Sequence, residues 1–309
     1  MTKLCVFPND PLLSYYNKGE IKDRYFNPEN FFNEIHVISL FDDEISPDKV
    51  KKLSGNADFY IHKLGKADLT NYKKFEKRIT KIIQDIQPSI IRAYNPLVQG
   101  WLATKIGKKF GIPVVISLHT NYEQQREFLK SEKKIIKYLK LVYTSKQVES
   151  FAIKNADVII CVYQAIVPYA KKRDAQNIQI IYNRVSLENF SPDIKKKIQS
   201  SIPIIISVGR LIKQKNHLYL LEAIKDLNVK LIIIGNGPNY SKIMEYIEVN
   251  NMSEKVQIIN SIPNHELGGY YTSCHIYAQP LEQLDGIPIP VLEAMACGLP
   301  IVMSEHSDN

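Results

Sequence analysis

Two carboxylates stand eight positions apart near the end of the chain, Asp285 and Glu293 in "DGIPIPVLEAMACGLPIV" (285–302), with Pro288 and Pro290 between them. Proline lacks an N–H and restricts the residue before it, so Asp285 to Ile289 reads as a loop. Pro290 suits the first turn of a helix through Ala296 that Gly298 ends, placing Glu293 in that first turn near open N–H groups. Carboxylates accept hydrogen bonds from sugar hydroxyls, and amide protons suit phosphate oxygens. A sugar, a diphosphate and a ribose laid in a line would match this array.

A second group lies in "SVGRLIKQKN", where Arg210 and Lys215 precede a helix expected from about Asn216. Two cations and a helix N-terminus make an anion site suited to a diphosphate; two surface charges in a loop are the equally simple reading. Gly235 and Gly237 in "IIIGNGP" would let a backbone approach a ligand at a second strand end. The stretch does not complete the GxGxxG pattern of a dinucleotide fold, which disfavours a nicotinamide dehydrogenase. No DxD triplet occurs, so no metal and no other cofactor is expected.

The elements that must hold these groups follow one rhythm. Short β-branched runs at 4–7, 35–40, 59–64, 89–94, 113–119, 157–162 and 178–182 alternate with helical segments near 69–86, 97–110 and 132–155. The rhythm breaks in "SPDIKKKIQSSIP" and resumes with runs at 202–209, 229–235, 256–259, 275–280 and 300–304, separated by helices. This predicts an α/β protein of two Rossmann-like, doubly wound parallel-sheet domains facing a cleft: residues 1–190, a linker at 191–203, and 204–309.

Composition narrows the class. The 309 residues are 45% hydrophobic and 23% charged, and no apolar run approaches the roughly twenty residues of a membrane span. The start, "MTKLCVFPNDP", is too short in its apolar run for a secretion signal, so a cytoplasmic protein is expected. Cys5, Cys161, Cys274 and Cys297 are scattered through apolar patterns and read as buried hydrophobes. Residues 1–194 carry 30 Lys and Arg against 21 Asp and Glu, whereas 195–309 carry 10 against 11. No nucleic-acid motif accompanies the basic half. Within it, 128–146 sets six lysines beside Ile135, Ile136, Leu139 and Tyr143; this suits either a core-packed helix with a solvated basic face or the surface of an anionic membrane.

"SVGRLIKQKN", "LIIIGNGP" and "YAQPLEQLDGIPIPVLEAMACGLPIV", in that order, resemble the C-terminal domain of the family 4 retaining glycosyltransferases of GT-B fold. The resemblance implies transfer of a hexosyl group from a nucleoside diphosphate sugar, with retention, to a saccharide or lipid-linked saccharide in cell-surface glycan synthesis. It assigns Asp285 to the hexose, Glu293 to the ribose, Arg210 and Lys215 to the diphosphate, and Gly286, Ile287 and Pro288 to the backbone donors. Asp285 stands where the family usually has Glu, and Ser261 where it usually has Gly; Glu282 would break the spacing. The resemblance also makes His119, after "PVVISL", the catalytic histidine beside the donor sugar, and places the acceptor on the first domain, where Gly19, Asn95 and Asn121 are candidates. It implies further elements after "PIVMSEHSDN", so the second domain is expected to be incomplete. The other readings are a non-catalytic nucleotide-sugar-binding protein and, further off, a dehydrogenase.

Overall fold

The computed structural model describes residues 1–131, 133–194, 200–281 and 286–305, in two compact units, Met1–Tyr182 and Asn183–Asn309. Phe190, 1% exposed, already packs in the core of the second unit with Tyr271 and Val291. The boundary therefore falls at 182–183 rather than after 190, and the described residues of 191–203 lie within the second unit.

The first unit runs β1 (Lys3–Phe7), α1 (Leu12–Asn17), β2 (Glu34–Ser39), β3 (Asp58–Lys63), α2 (Tyr72–Ile86), β4 (Ile90–Ala93), α3 (Val98–Phe110), β5 (Val114–Leu118), α4 (Tyr122–Ser131) and α5 (Ile135–Thr144). A π-helical turn, Ser145–Glu149, joins α5 to α6 (Ser150–Asn155); β6 (Val158–Cys161), α7 (Val167–Lys171) and β7 (Ile178–Ile180) follow. All pairings are parallel, in the order β3-β2-β1-β4-β5-β6-β7, with Cys5 level with His36 and with Ile91. Such strands are apolar on both sides because both faces of the sheet are covered. Cys5, Phe7 and Ile38 pack under Phe75, Ile79 and Ile83 of α2, while Leu4, Val6, Ile35 and Val37 pack with Leu12, Phe26 and Leu53.

The stretch 128–146, read as one helix, is broken in two: its first residues belong to α4, which closes at Lys133, a left-handed residue with φ +53°, just inside the helix expected over 132–155. The Lys133 and Lys134 amides donate back to the carbonyls of Lys130 and Leu129. Helix α5 then starts afresh at Ile135.

The second unit runs β8 (Ile204–Val208), α8 (His217–Ile224), β9 (Lys230–Ile234), α9 (Tyr240–Val249), β10 (Val256–Ile259), α10 (Asn264–Tyr271), β11 (Ile276–Gln279), α11 (Ile289–Ala296) and β12 (Ile301–Met303). Its sheet is parallel in the order β10-β9-β8-β11-β12. The chain lays down β8, β9 and β10 in one direction, then returns to the other side of β8 for β11. The connections after β8 and β11 therefore diverge, and in a doubly wound sheet this divergence opens the crevice in which ligands sit. In the first unit the same reversal falls between β1 and β4.

Candidate active site

The reversal point of the second unit collects the cations picked out by sequence. After β8 the chain passes through Gly209 to Arg210, which is exposed, then through a short 3-10 turn, Lys213–Lys215, to Asn216. Asn216 is left-handed (φ +47°) and heads α8, whose His217 and Leu218 amides have no acceptor among the described residues. The N-terminal dipole end of α8 thus stands open two residues after Lys215, with Arg210 on the same loop. A Cβ on Gly209 would lie 3.8 Å from Cε of Lys215 and 3.0 Å from Nε2 of Gln279, so the lysine stem folds back over the end of β8 toward the end of β11. No acid among the described residues pairs with Lys215, and burial lowers its ammonium to about 8, leaving it cationic at neutral pH.

The glycines after β9 serve the protein's own backbone. A Cβ on Gly235 would fall 1.9 Å from the Gly209 carbonyl oxygen, and one on Gly237 would fall 2.5 Å from that of Leu211. Backbone bonds from Gly209 to Ile234 and from Leu211 to Asn236 hold the two loops together. Close approach is the reason for glycine here, as the sequence implied, but the partner is the neighbouring loop.

After β11, Asp285 and Glu282 lie outside the described residues. Gly286, Ile287 and Pro288 lead into α11, which begins at Ile289, one residue earlier than expected. Two assignments change. Pro288 has no amide proton, so the donors of this loop are Gly286, Ile287 and Ile289, whose amides find no acceptor among the described residues. Glu293 is the fifth residue of α11 and sits in its second turn, 3% exposed. Its Oε1 accepts from Asn264 Nδ2 at 3.2 Å and its Oε2 from the Tyr271 hydroxyl at 3.1 Å.

In the first unit His119 follows β5, as expected, with an exposed edge and its ring stacked on Tyr94 at 5.8 Å. Burial of the ring's inner side, then the Arg92 guanidinium, lower its pKa, so the imidazole is neutral at pH 7. Arg92 lies over the other ring neighbour, 4.7 Å from the Tyr94 centroid, and donates to Ser117 Oγ at 3.2 Å. Sequence reading passed over Arg92; a guanidinium inside the apolar strand "SIIRAY" was the available signal. The three weaker candidates have structural duties. Gly19 (φ +67°) closes α1, its amide donating to the Tyr16 carbonyl. Asn121 accepts the Glu123 amide at 3.0 Å at the head of α4. Asn95, 2% exposed, accepts the Leu97 amide and donates to Asn9 at 3.0 Å, tying the ends of β4 and β1 together at their reversal point.

Comparison with known proteins places this geometry. The model described as Glycosyltransferase Family 4 matches residues 33–189, and that described as Glycosyl transferases group 1 matches residues 191–309. The chain belongs to glycosyltransferase family 4.

Family membership and the two parallel-sheet units agree on the GT-B fold. The apo lipopolysaccharide outer core galactosyltransferase WaaB superposes with a TM-score of 0.68 at 16% identity, covering 98% of this chain and 80% of that one. Anabaena HepE in complex with UDP-glucose gives a TM-score of 0.69 at 13% identity, again covering 98% and 80%. Among curated relatives, the Escherichia coli UDP-Gal:alpha-D-GlcNAc-diphosphoundecaprenol alpha-1,3-galactosyltransferase is 26% identical over 218 residues, 64% of this chain and 53% of that protein. The Acholeplasma laidlawii alpha-monoglucosyldiacylglycerol synthase is 24% identical over 263 residues, 74% and 62% of the two chains. The chain thus spans about half the length of the first of these relatives. No helix among the described residues is long and apolar enough to cross a membrane.

Proposed function

We propose that this family 4 protein transfers a hexosyl group from a nucleoside diphosphate sugar to a saccharide or lipid-linked saccharide, with retention at the anomeric carbon, in the synthesis of a cell-surface glycan. The observation that carries the reading is the pairing of Arg210 and Lys215 with the open N-terminus of α8 at the reversal point of the donor sheet. Cations and amide protons fixed in place before the reaction stabilise charge as it grows on the departing diphosphate. The bond between the anomeric carbon and the diphosphate oxygen breaks, and its electron pair leaves with the nucleoside diphosphate. The acceptor hydroxyl oxygen bonds to the same carbon on the same face, and its proton passes to the leaving phosphate. Fixed protein charge does the work a divalent cation performs elsewhere, so we assign no metal to the reaction.

The amides of Gly286, Ile287 and Ile289 extend the donor row along the loop after β11, Asp285 is assigned to the hexose and Glu293 to the ribose hydroxyls. From the first unit we assign His119, whose neutral imidazole can accept a hydrogen bond from a sugar hydroxyl. That one curated relative's name includes a diphosphoundecaprenol-linked sugar and another's a diacylglycerol supports a lipid-linked acceptor and work at the inner face of a membrane.

Calorimetric titration with a panel of nucleoside diphosphate sugars, followed by transfer and donor-hydrolysis assays with and without chelator, tests the proposal. One donor should bind; Lys215→Met should weaken it about a hundredfold, in line with loss of a charged contact to phosphate, and Asp285→Asn should abolish turnover with little loss of binding. Binding without turnover in any acceptor mixture would make the protein a nucleotide-sugar binder. Turnover unchanged in both variants would remove the site.

A further inference from the structure

Arg92 is a half-buried cation in an apolar strand, level with Val6 on one side and Val115 on the other. Side chains alternate along a strand, so Arg92 and Tyr94 share one face of the sheet, and the register of β4 with β5 puts Ser117 and His119 on that same face. The guanidinium stands over the Tyr94 ring, 4.7 Å from its centroid, and donates through Nη2 to Ser117 Oγ at 3.2 Å. Its buried Nε finds no acceptor among the described residues. Nothing negative answers the charge. Tyr94 and Ser117 are neutral and 4% and 1% exposed, His119 is neutral at pH 7, and no Asp or Glu among the described residues forms an ion pair with Arg92. Asp10, on the loop after β1, bears on Tyr15, beyond Tyr25 in the same aromatic row. An ion held partly out of water without a counter-ion is costly, and a ring face with one neutral hydroxyl recovers only part of that cost. A planar fork with donors unspent is the shape that takes a carboxylate or a phosphate through two parallel bonds.

We infer that Arg92 sorts acceptors by charge: its guanidinium binds an oxyanion, carboxylate or phosphate, that the acceptor saccharide carries near the hydroxyl to be glycosylated. The inference rests on the proposed transfer and adds a substrate class to it. In that reading the donor diphosphate has its own cations, Arg210 and Lys215, on the second unit, so the charge on the first unit falls to the acceptor. His119, stacked on Tyr94 at 5.8 Å, marks this end of the sheet as the reacting one. A neutral hexose would leave the guanidinium unanswered; a uronic acid or a sugar phosphate would answer it.

The test is titration of the whole chain with matched saccharides, read by nuclear magnetic resonance from the sugar and from the His119 ring: methyl glucoside, galactoside and mannoside, each against its uronic acid and its 6-phosphate. In at least one series a charged member should bind about tenfold or more tighter than the neutral one and perturb the His119 signals. Whether the acid or the phosphate is preferred tells the two sources of charge apart. Arg92→Met should erase the preference and leave the neutral sugar's affinity unchanged, while Arg92→Lys, which keeps a charge but not the fork, should keep only part of it, both with unaltered circular dichroism. The inference falls if no charged sugar outbinds its neutral counterpart, or if the preference survives Arg92→Met. It falls too if Arg92→Met weakens a nucleoside diphosphate sugar as Lys215→Met does, because the guanidinium would then serve the donor. Transfer to neutral and charged acceptors alike would sink the inference and leave the transfer reading standing. A charge preference without turnover would remove the transfer and keep Arg92 as the charge-reading group of a saccharide-binding protein.

Discussion

His217 offers a stability test of the donor loop that needs no substrate. It opens α8, is 2% exposed, and neither ring nitrogen has a partner among the described residues. Burial first, and the Lys215 cation second, push its imidazole down to about 4, so it is neutral at pH 7 and carries an unmet donor and an unmet acceptor. Replacing it by an apolar side chain of similar bulk, His217→Leu, removes both unmet groups. Each such group costs about 1–3 kcal/mol when buried, so the variant should match or exceed the parent in stability at pH 7. The second half of the prediction is a pH slope. A folded value near 4 against an unfolded value of about 6.5 means that the unfolded chain takes up a proton first as pH falls. Above 6.5 the group contributes no pH dependence. Between about 6.5 and 4 it destabilises the fold progressively, reaching about 2–3 kcal/mol near pH 4.5. Urea denaturation followed by circular dichroism at pH 7.0 and 4.5 on parent and variant isolates this group, since every other titrating residue is common to both. If His217→Leu is destabilised by more than about 2 kcal/mol at pH 7, or loses as much stability on acidification as the parent, the ring nitrogens are partnered and the reasoning fails.

Three further outcomes follow from the same geometry. Lys215 is cationic below about 8 and loses its charge above it, so donor affinity should fall as pH rises from 8 to 9.5, while Lys215→Arg, which does not titrate there, should bind with a flat profile in calorimetry. Glu149→Gln leaves Arg126 and Arg173 facing a neutral amide in the interior and should cost about 3–5 kcal/mol in urea denaturation, with faster hydrogen exchange in α4 and α5 than in the sheet. Gly235→Ala drives a Cβ into the Gly209 carbonyl, so the β8 and β9 loops must part, and donor binding measured by calorimetry should weaken at least about tenfold even where the fold survives.

How much of this was readable beforehand divides along a physical line. The strand runs such as "LIIIG" and "VVISL" came through because β-branched residues in parallel sheets must be apolar on both faces, a constraint written in consecutive positions. Helix α2 came through because Phe75, Ile79 and Ile83 repeat at helical spacing. The break between α4 and α5 did not, because lysines and aliphatics continue through it without change of period, and only the left-handed Lys133 marks the turn. Site chemistry shows the same division at finer scale. That Gly235 and Gly237 stand where something comes very close is a local property of glycine and was legible; that the close neighbour is the Gly209–Leu211 backbone depends on which strands lie side by side. Glu293 was found by its distance from Asp285 along the chain, yet its partners, Asn264 and Tyr271, sit on α10, more than twenty residues away. His119 was found at the end of its strand, whereas Arg92, which adds to burial in lowering its pKa, and Tyr94, which stacks on its ring, come from the neighbouring strand β4 and the residue just after it. Residue type and spacing therefore name the groups able to do chemistry, and strand order decides which of them meet. The reversal between β8 and β11 is the point where this matters most: the anion site proposed for Arg210 and Lys215 depends on β11 being laid down beside β8 and not beyond β10, an order that no local run of residues encodes.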